Sequence, residues 1–369
     1  MRQPHPVTVL IAGGGIAGAA AACLLGPEAM LVEREAGAHD KICGEFVSYE
    51  AQHYLSRLGV DVAALGGAPI DAVRLVYRSQ VARAPLPFRG YGLSRRALDA
   101  AVLDRATHAG AQVVRGHAVR SILPGGLDVV GQGKLKADAV FLATGKHDLR
   151  GTRRALAQPP EDLVGLKMYF RLHPSQAAAL DAHVELLLFQ GGYAGLQLIE
   201  GGIANLCLLV RRDCFAAAGG GWPGLQDALE RDCPHLQDRL HGAVPLLDRP
   251  LSIFRVPYGY VHQSTSNDPP NLYRLGDQVG VIPSFSGDGV SIALHSAFSA
   301  SNALRHGTAA SHHHAMRRDL SGQVARAGLL LRVGRLAPGL AVQAARAWPG
   351  ALRWIAAMTR VPARALLDT

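Results

Sequence analysis

The chain is poor in cysteine. Cys23, Cys43, Cys207, Cys214 and Cys233 are five in 369 residues, an odd number at scattered spacings with no C-x-x-C pair. A disulfide framework and a cysteine zinc site are therefore excluded. His312, His313 and His314 are consecutive, so they cannot all face one metal from one helix or strand, and a solvated loop is expected there. Charged residues are scarce at 18%, against 49% hydrophobic, a balance that argues for packed cores over disorder. The length leaves room for two domains. No internal repeat is present, and beyond Leu25 no apolar run is long enough to cross a bilayer. Acidic residues are nearly missing from one region. Residues 313–369 hold nine arginines against Asp319 and Asp368, which is +7 of the chain's net +9. Such a tail suits an anionic membrane surface or an acidic carrier protein. Without a nucleic-acid module or interleaved aromatics it does not suit nucleic acid.

What is present is concentrated in residues 7–34, VTVLIAGGGIAGAAAACLLGPEAMLVER. They read as a short apolar strand, a glycine turn, a small-residue helix and a second strand ending in an acid. Gly13, Gly15 and Gly18 fit G-x-G-x-x-G, and Glu33 follows Gly13 by twenty residues. The first glycine permits the tight turn, the second lets backbone approach a pyrophosphate, and the third lets the helix pack on the strand. The helix N-terminus offers free N–H groups to that anion, and Glu33 is spaced to accept from a ribose diol. The run from Val7 to Leu25 carries no charge and follows Arg2, as a secretory signal would. Its four glycines argue against a helix that must hold itself together in lipid. A cytoplasmic protein is expected, with membrane association through the tail as the variant.

Residues 95–109 have helical spacing, 112–123 read as strands, and 136–145 form an apolar strand that belongs beside the first one. Segments 161–172, 183–189, 195–200 and 203–211 read as short strands of an antiparallel sheet. Residues 213–263 mix helix and loop. Residues 273–304 read as strand, loop and helix, and the tail from His314 as helix interrupted at Pro338 and Pro349.

A second glycine segment lies far from the first. Gly276-Asp277 ends a strand, and residues 283–290, PSFSGDGV, open a small-residue helix. A carboxylate there suits a polyol hydroxyl, and the glycines let backbone approach a ring or phosphate at a helix N-terminus. Two such distant sites suit an extended flavin dinucleotide better than NAD. Together, residues 7–34, 41–59, 93–145 and 273–304 resemble the flavoprotein superfamily that contains para-hydroxybenzoate hydroxylase, the flavin-dependent halogenases and geranylgeranyl reductase.

The resemblance implies an α/β protein. A Rossmann-like FAD-binding domain (residues 1–70, 93–160 and 265–312) would be joined to an antiparallel β-sheet substrate domain (71–92 and 161–264) and a basic helical C-terminal segment (313–369). It implies bound FAD and NAD(P)H as the electron donor. The ADP part would lie on Gly13, Gly15, Ile16, Ala17, Gly18, Glu33 and Arg34, with Arg95 on the pyrophosphate side and the Val119 backbone against adenine. Asp277, after Gly276, would bind the ribityl chain. Pro283 and Gly287, Asp288, Gly289 and Val290 would lie beside the flavin ring. KICGEFVS (41–48) looks like the geranylgeranyl reductase branch and would bring Cys43 and Gly44 close to the ring, with Cys43 a redox partner, a proton donor or a small lining residue.

Three flavin chemistries compete. A monooxygenase acting on a small apolar aromatic or polyketide-like substrate is favoured by GLSRRALDAAV (92–102). The hydroxylases' D-G pair after the third strand is replaced by Ala143-Thr144-Gly145 and then Lys146 to Arg150. A reductase of an isoprenoid or polyene chain is suggested by K-x-C-G, although Gly195 stands where the reductases carry tryptophan. A halogenase fits worst, because W-x-W-x-I-P is absent and residues 71–95 contain no lysine. A non-catalytic FAD-binding protein is the alternative outside enzymes. Phe46, Tyr169, Phe189, Tyr193, Phe254, Tyr258 and Phe285 are the expected pocket aromatics. Cys43, Tyr193 and Phe285 are the catalytic candidates, His53 and His295 are read as structural, and no general base is evident. The tail is expected to cap the FAD domain with its arginines in water.

Overall fold

The computed structural model describes residues 7–156, 161–266 and 268–367; Arg2, Asp368 and the expected FAD-domain stretches 1–6 and 157–160 lie outside them. The first sheet has five parallel strands in the order Leu272–Arg274, Ala139–Leu142, Val9–Ala12, Ala29–Glu33, Gln112–Arg115. The central strand shows why it is apolar throughout. Val9 and Ile11 face a core shared with the helix Ile16–Leu25, while Leu10 and Ala12 face Leu127 and Val129 of a small three-stranded antiparallel sheet. Side chains alternate across a strand, so a strand covered on both faces reads as a continuous hydrophobic run. The helices Arg95–His108 and Gly289–His306 pack on the same side as Ile16–Leu25.

The second sheet has nine strands. Those of Leu163–Arg171, Ala204–Arg211, Gly192–Leu198 and Ala182–Phe189 pair antiparallel in that order, as their spacing predicts. Ala182–Phe189 then pairs parallel with Ala68–Tyr77, a departure from an all-antiparallel sheet. The chain leaves this sheet after Gly92, adds two strands to the first sheet, builds the small three-stranded one and returns, and so long a crossover permits parallel pairing. Along Ala182–Phe189, Leu187 and Phe189 enter a core with the helices Trp222–Asp232 and Pro234–Leu240. Val184, Leu186 and Leu188 line a large cavity on the opposite face.

The C-terminal segment departs from expectation in two ways. Its first helix, Ala309–Leu336, begins before the histidines, and His312 and His313 are buried rather than in a solvated loop. His312 Nε2 meets the Arg274 carbonyl at 2.9 Å, and the Arg274 N–H donates to His313 Nε2 at 3.0 Å. They hold the helix against the last strand of the first sheet, and burial pushes their pKa values down to about 4 and about 2. The tail also does more than cap the first sheet. The helices Pro338–Ala347 and Pro349–Met358, each begun by a proline, lay Val342, Ala345 and Leu352 on Val73, Ala82 and Ala84 of the second sheet.

Candidate functional site

One cavity of ≈ 990 Å³ reaches from the first glycine turn to the tail helices. At its first end Gly13 has φ +109°, and a Cβ there would lie 2.5 Å from the Ala143 carbonyl oxygen. Only glycine fits that turn. The Glu33 carboxylate accepts from the N–H groups of Gly14 at 2.6 Å and Glu35 at 3.0 Å, which fixes it at the end of its strand. The helix Ile16–Leu25 has no side-chain cap at Gly15, so its first N–H groups remain available to an anion. Two cations stand over that point. The position of a Cβ on Gly15 is 3.5 Å from Lys41 Nζ and 3.7 Å from Arg95 Nη2. Asp99 holds both, at 2.6 Å from Lys41 and 2.7 Å from Arg95. Burial works against the Arg95 charge, but Asp99 outweighs it and the guanidinium pKa is raised. Lys41 was absent from the expected site although it opens K-x-C-G. The K-x-C-G spacing points to its cysteine and not to the lysine that opens it.

The segment 41–47 crosses the middle of the cavity and is tied down by the second sheet. Lys167, fully buried, pairs with Glu45 at 2.5 Å and donates to the Lys41 carbonyl at 2.9 Å. Tyr169 Oη and the Arg95 N–H each donate to Glu45 Oε1 at 2.8 Å. The Asn205 amide donates to the carbonyls of Cys43 and Gly44, and that of Gln197 to the Glu45 carbonyl. These bonds hold Glu45 at φ +60°, a conformation non-glycine residues rarely adopt. Burial raises the Glu45 pKa, against the pull of Lys167. Cys43 lines the cavity beside the Arg95 charge.

The loop before the helix Gly289–His306 forms the next wall. Gly287 has φ +71°, and no side-chain cap occupies the helix N-terminus. Tyr193 Oη lies 2.7 Å from Ser284 Oγ, and Tyr258 Oη 3.2 Å from the same oxygen. Phe285 meets the Tyr193 ring edge-on at 5.9 Å. Burial pushes both tyrosine pKa values upward. Beyond them the wall is mainly apolar: Val73, Leu75, Leu86, Val184, Leu186 and Leu188 from the sheet, with Leu331, Ala345, Leu352 and Ile355 from the tail, Arg335 and Arg360 being the charged exceptions.

Most expected site residues line this cavity: Gly13, Gly15, Ile16, Ala17, Glu33, Arg34, Cys43, Gly44, Arg95, Val119, Tyr193, Gly276, Asp277, Phe285, Gly287, Gly289 and Val290. Three do not reach it. Gly18 is where the helix touches the strand, since a Cβ there would collide with the Gly13 carbonyl. Pro283 lies between Ile282 and Ser284, which line the cavity while it does not. Asp288 is fully buried, accepting from the Val361 N–H at 3.0 Å beside Arg360. Of the pocket aromatics, Phe46, Tyr193, Tyr258 and Phe285 line the cavity. Tyr169 lies beneath Glu45, Phe189 in the opposite core, and Phe254 in solvent. His295 sits on a helix between Tyr54 Oη and Asp319, and His53 lies on the helix Tyr49–Arg57.

The fold has known counterparts. The flavin-dependent brominase Bmp2 superposes with a TM-score of 0.77 at 15% identity, over 98% of this chain and 93% of that one. The chain has the fold of flavin-dependent halogenases of known structure. P. aeruginosa PqsL, solved with 2-aminobenzoylacetate, gives 0.71 at 19% identity over 89% and 96%. Halogenase PltM, solved with phloroglucinol and FAD, gives 0.71 at 15% over 90% and 77%. Halogenases thus stand among the similar structures, although the halogenase motifs are the ones this sequence lacks. No protein-family model matches the chain, and no curated protein sequence matches it. The cavity fits an extended dinucleotide: an uncapped helix end under two cations, a fixed carboxylate one strand away, and a second uncapped helix end at Gly289, where a Cβ would meet nothing within 4 Å.

Proposed function

We propose that the protein is an FAD-dependent oxidoreductase and, within that class, a monooxygenase of an apolar aromatic or polyketide-like substrate with NAD(P)H as electron donor. The observation that carries this reading is one continuous cavity, basic and glycine-lined at one end and mainly apolar at the other. Gly13, Gly15, Glu33, Lys41 and Arg95 would hold the ADP part, and Asp277 with Gly287, Gly289 and Val290 the flavin part. FAD supplies two-electron redox chemistry and the activation of dioxygen. The chain's residues do the rest. The helix end at Gly289 favours negative charge placed against it. Tyr193, Tyr258 and Ser284 remain protonated at neutral pH and offer hydroxyls to a substrate oxygen. The leucine and valine wall keeps water from the reacting centre.

The apolar wall formed by residues 73–86 and 184–188 carries no lysine, which favours direct oxygen transfer over a relayed hypohalous acid. The length of the apolar end also suits a reductase of a polyene chain. Purified protein should be reduced by NADH or NADPH, and a long-chain alkylphenol should stimulate that oxidation with matching oxygen uptake. Double-bond saturation without oxygen uptake selects the reductase reading, and product formation that requires bromide selects a halogenase. A protein that binds no FAD removes all three.

A further inference from the structure

The C-terminal helices have two faces. One lines the cavity: Leu331 and Gly334, then Ala341 and Ala345, then Leu352, Ile355 and Ala356. The other is exposed and apolar: Leu329, Leu336, Leu340, Trp348 and Trp354, of which Leu336 is 85% and Leu340 68% exposed; Val333, at the edge of the cavity, is exposed as well. Leu329, Val333 and Leu336 are spaced four and three residues apart, so they form one stripe along the helix. Arg332, Arg346 and Arg353 are exposed among them, and no acidic residue occurs between Leu329 and Leu367. Six large apolar side chains left in water within forty residues are uncommon on a monomer unless something covers them.

We propose that this face docks on an anionic lipid bilayer. The composition decides the occupant. Tryptophan and leucine on a surface rimmed by arginine suit the headgroup boundary, where rings and aliphatic chains enter the acyl region and guanidinium groups meet phosphates. A second copy of the same face would bring like charges together. No described helix is long and apolar enough to cross a membrane, so the contact is peripheral. It places the apolar end of the cavity one helix thickness, about 10 Å, from the lipid. Docking does not depend on the proposed reaction, and a failed turnover assay leaves it standing.

Sedimentation of the full chain with vesicles tests it. Vesicles of equal parts phosphatidylcholine and phosphatidylglycerol should carry the protein down at low salt. Pure phosphatidylcholine should bind at least about tenfold more weakly. Leu336→Glu/Leu340→Glu, both at exposed positions, should lower binding to mixed vesicles by about tenfold or more with circular dichroism and FAD content unchanged. Arg332→Gln/Arg346→Gln/Arg353→Gln should abolish the preference for phosphatidylglycerol. Absence of wild-type binding to either vesicle overturns the proposal, as does undiminished binding by the leucine variant. A wild-type dimer that the leucine variant dissociates, or saturable binding of an acyl carrier protein with none to vesicles, would reassign the face.

Discussion

Asp99 holds Arg95 through two oxygens, at 2.7 and 3.0 Å, and Lys41 through one, at 2.6 Å. The two cations are therefore not equivalent. Removing Lys41 leaves the Arg95–Asp99 pair intact, whereas removing Arg95 strips a buried carboxylate of its main partner. Lys41→Met should thus fold normally and weaken FAD binding by about tenfold to a hundredfold, the loss of one charged hydrogen bond. Fluorescence titration of the apoprotein with FAD measures this, and an unchanged Kd would remove Lys41 from the site. At this scale the sequence was half readable. The glycine positions follow from spacing because φ and close approach leave one residue type. The reach of Lys41 does not, since only the fold shows which end of a long side chain meets the turn. The Glu45–Lys167 pair was hidden altogether, its members being on segments that meet only when the second sheet closes over the loop 41–47.

Elements were more legible than their partners. Apolar alternation marks Ala182–Phe189 as a strand, but not that one side faces a core and the other a cavity. The floor of that cavity contains Gly195, where a Cβ would meet only the Cys207 carbonyl oxygen, at 3.8 Å. The strand there has no left-handed φ, so the glycine serves volume and not conformation. Gly195→Phe should fold and bind FAD within about twofold of wild type while filling the apolar end. Binding of a dansyl-labelled fatty acid should weaken by about tenfold or more, as overpacking of a closed space does. Equal dye binding by variant and wild type would show that the apolar end is not a ligand chamber. The tail helices were legible from Pro338 and Pro349. Their crossing to the second sheet was not, because Val342, Ala345 and Leu352 are generic apolar residues that name no partner.

For the molecule as a whole, pH acts on the junction between the tail and the first sheet, and a buried carboxyl and two buried histidines pull in opposite directions. Asp288 is held near a pKa of about 7 by burial, which Arg360 only partly offsets. The folded protein keeps a proton there that the unfolded chain releases above about pH 4, so this group lowers stability as pH rises from about 4 to about 7. His312 and His313 are depressed by burial to about 4 and about 2. The unfolded chain gains their protons below about pH 6.5 while the folded protein refuses them, so stability falls as pH drops from there toward 4. Between about pH 4 and 6.5 the two histidines outweigh the single carboxyl, each contributing about 1.4 kcal/mol per pH unit. Asp288→Asn keeps an acceptor for the Val361 N–H and removes the opposing slope. Urea unfolding from pH 4 to 8 should therefore give a variant more stable than wild type above pH 7, whose stability falls more steeply on acidification. Glu185 adds a separate acid limb. His235 and Arg239 overcome its burial and hold it at about 2, so its contribution is full above about pH 4.5 and lost as pH falls toward 2 in both proteins. Identical slopes for wild type and Asp288→Asn between pH 4 and 6.5 would mean that Asp288 is charged in the fold, with Arg360 drawn onto it.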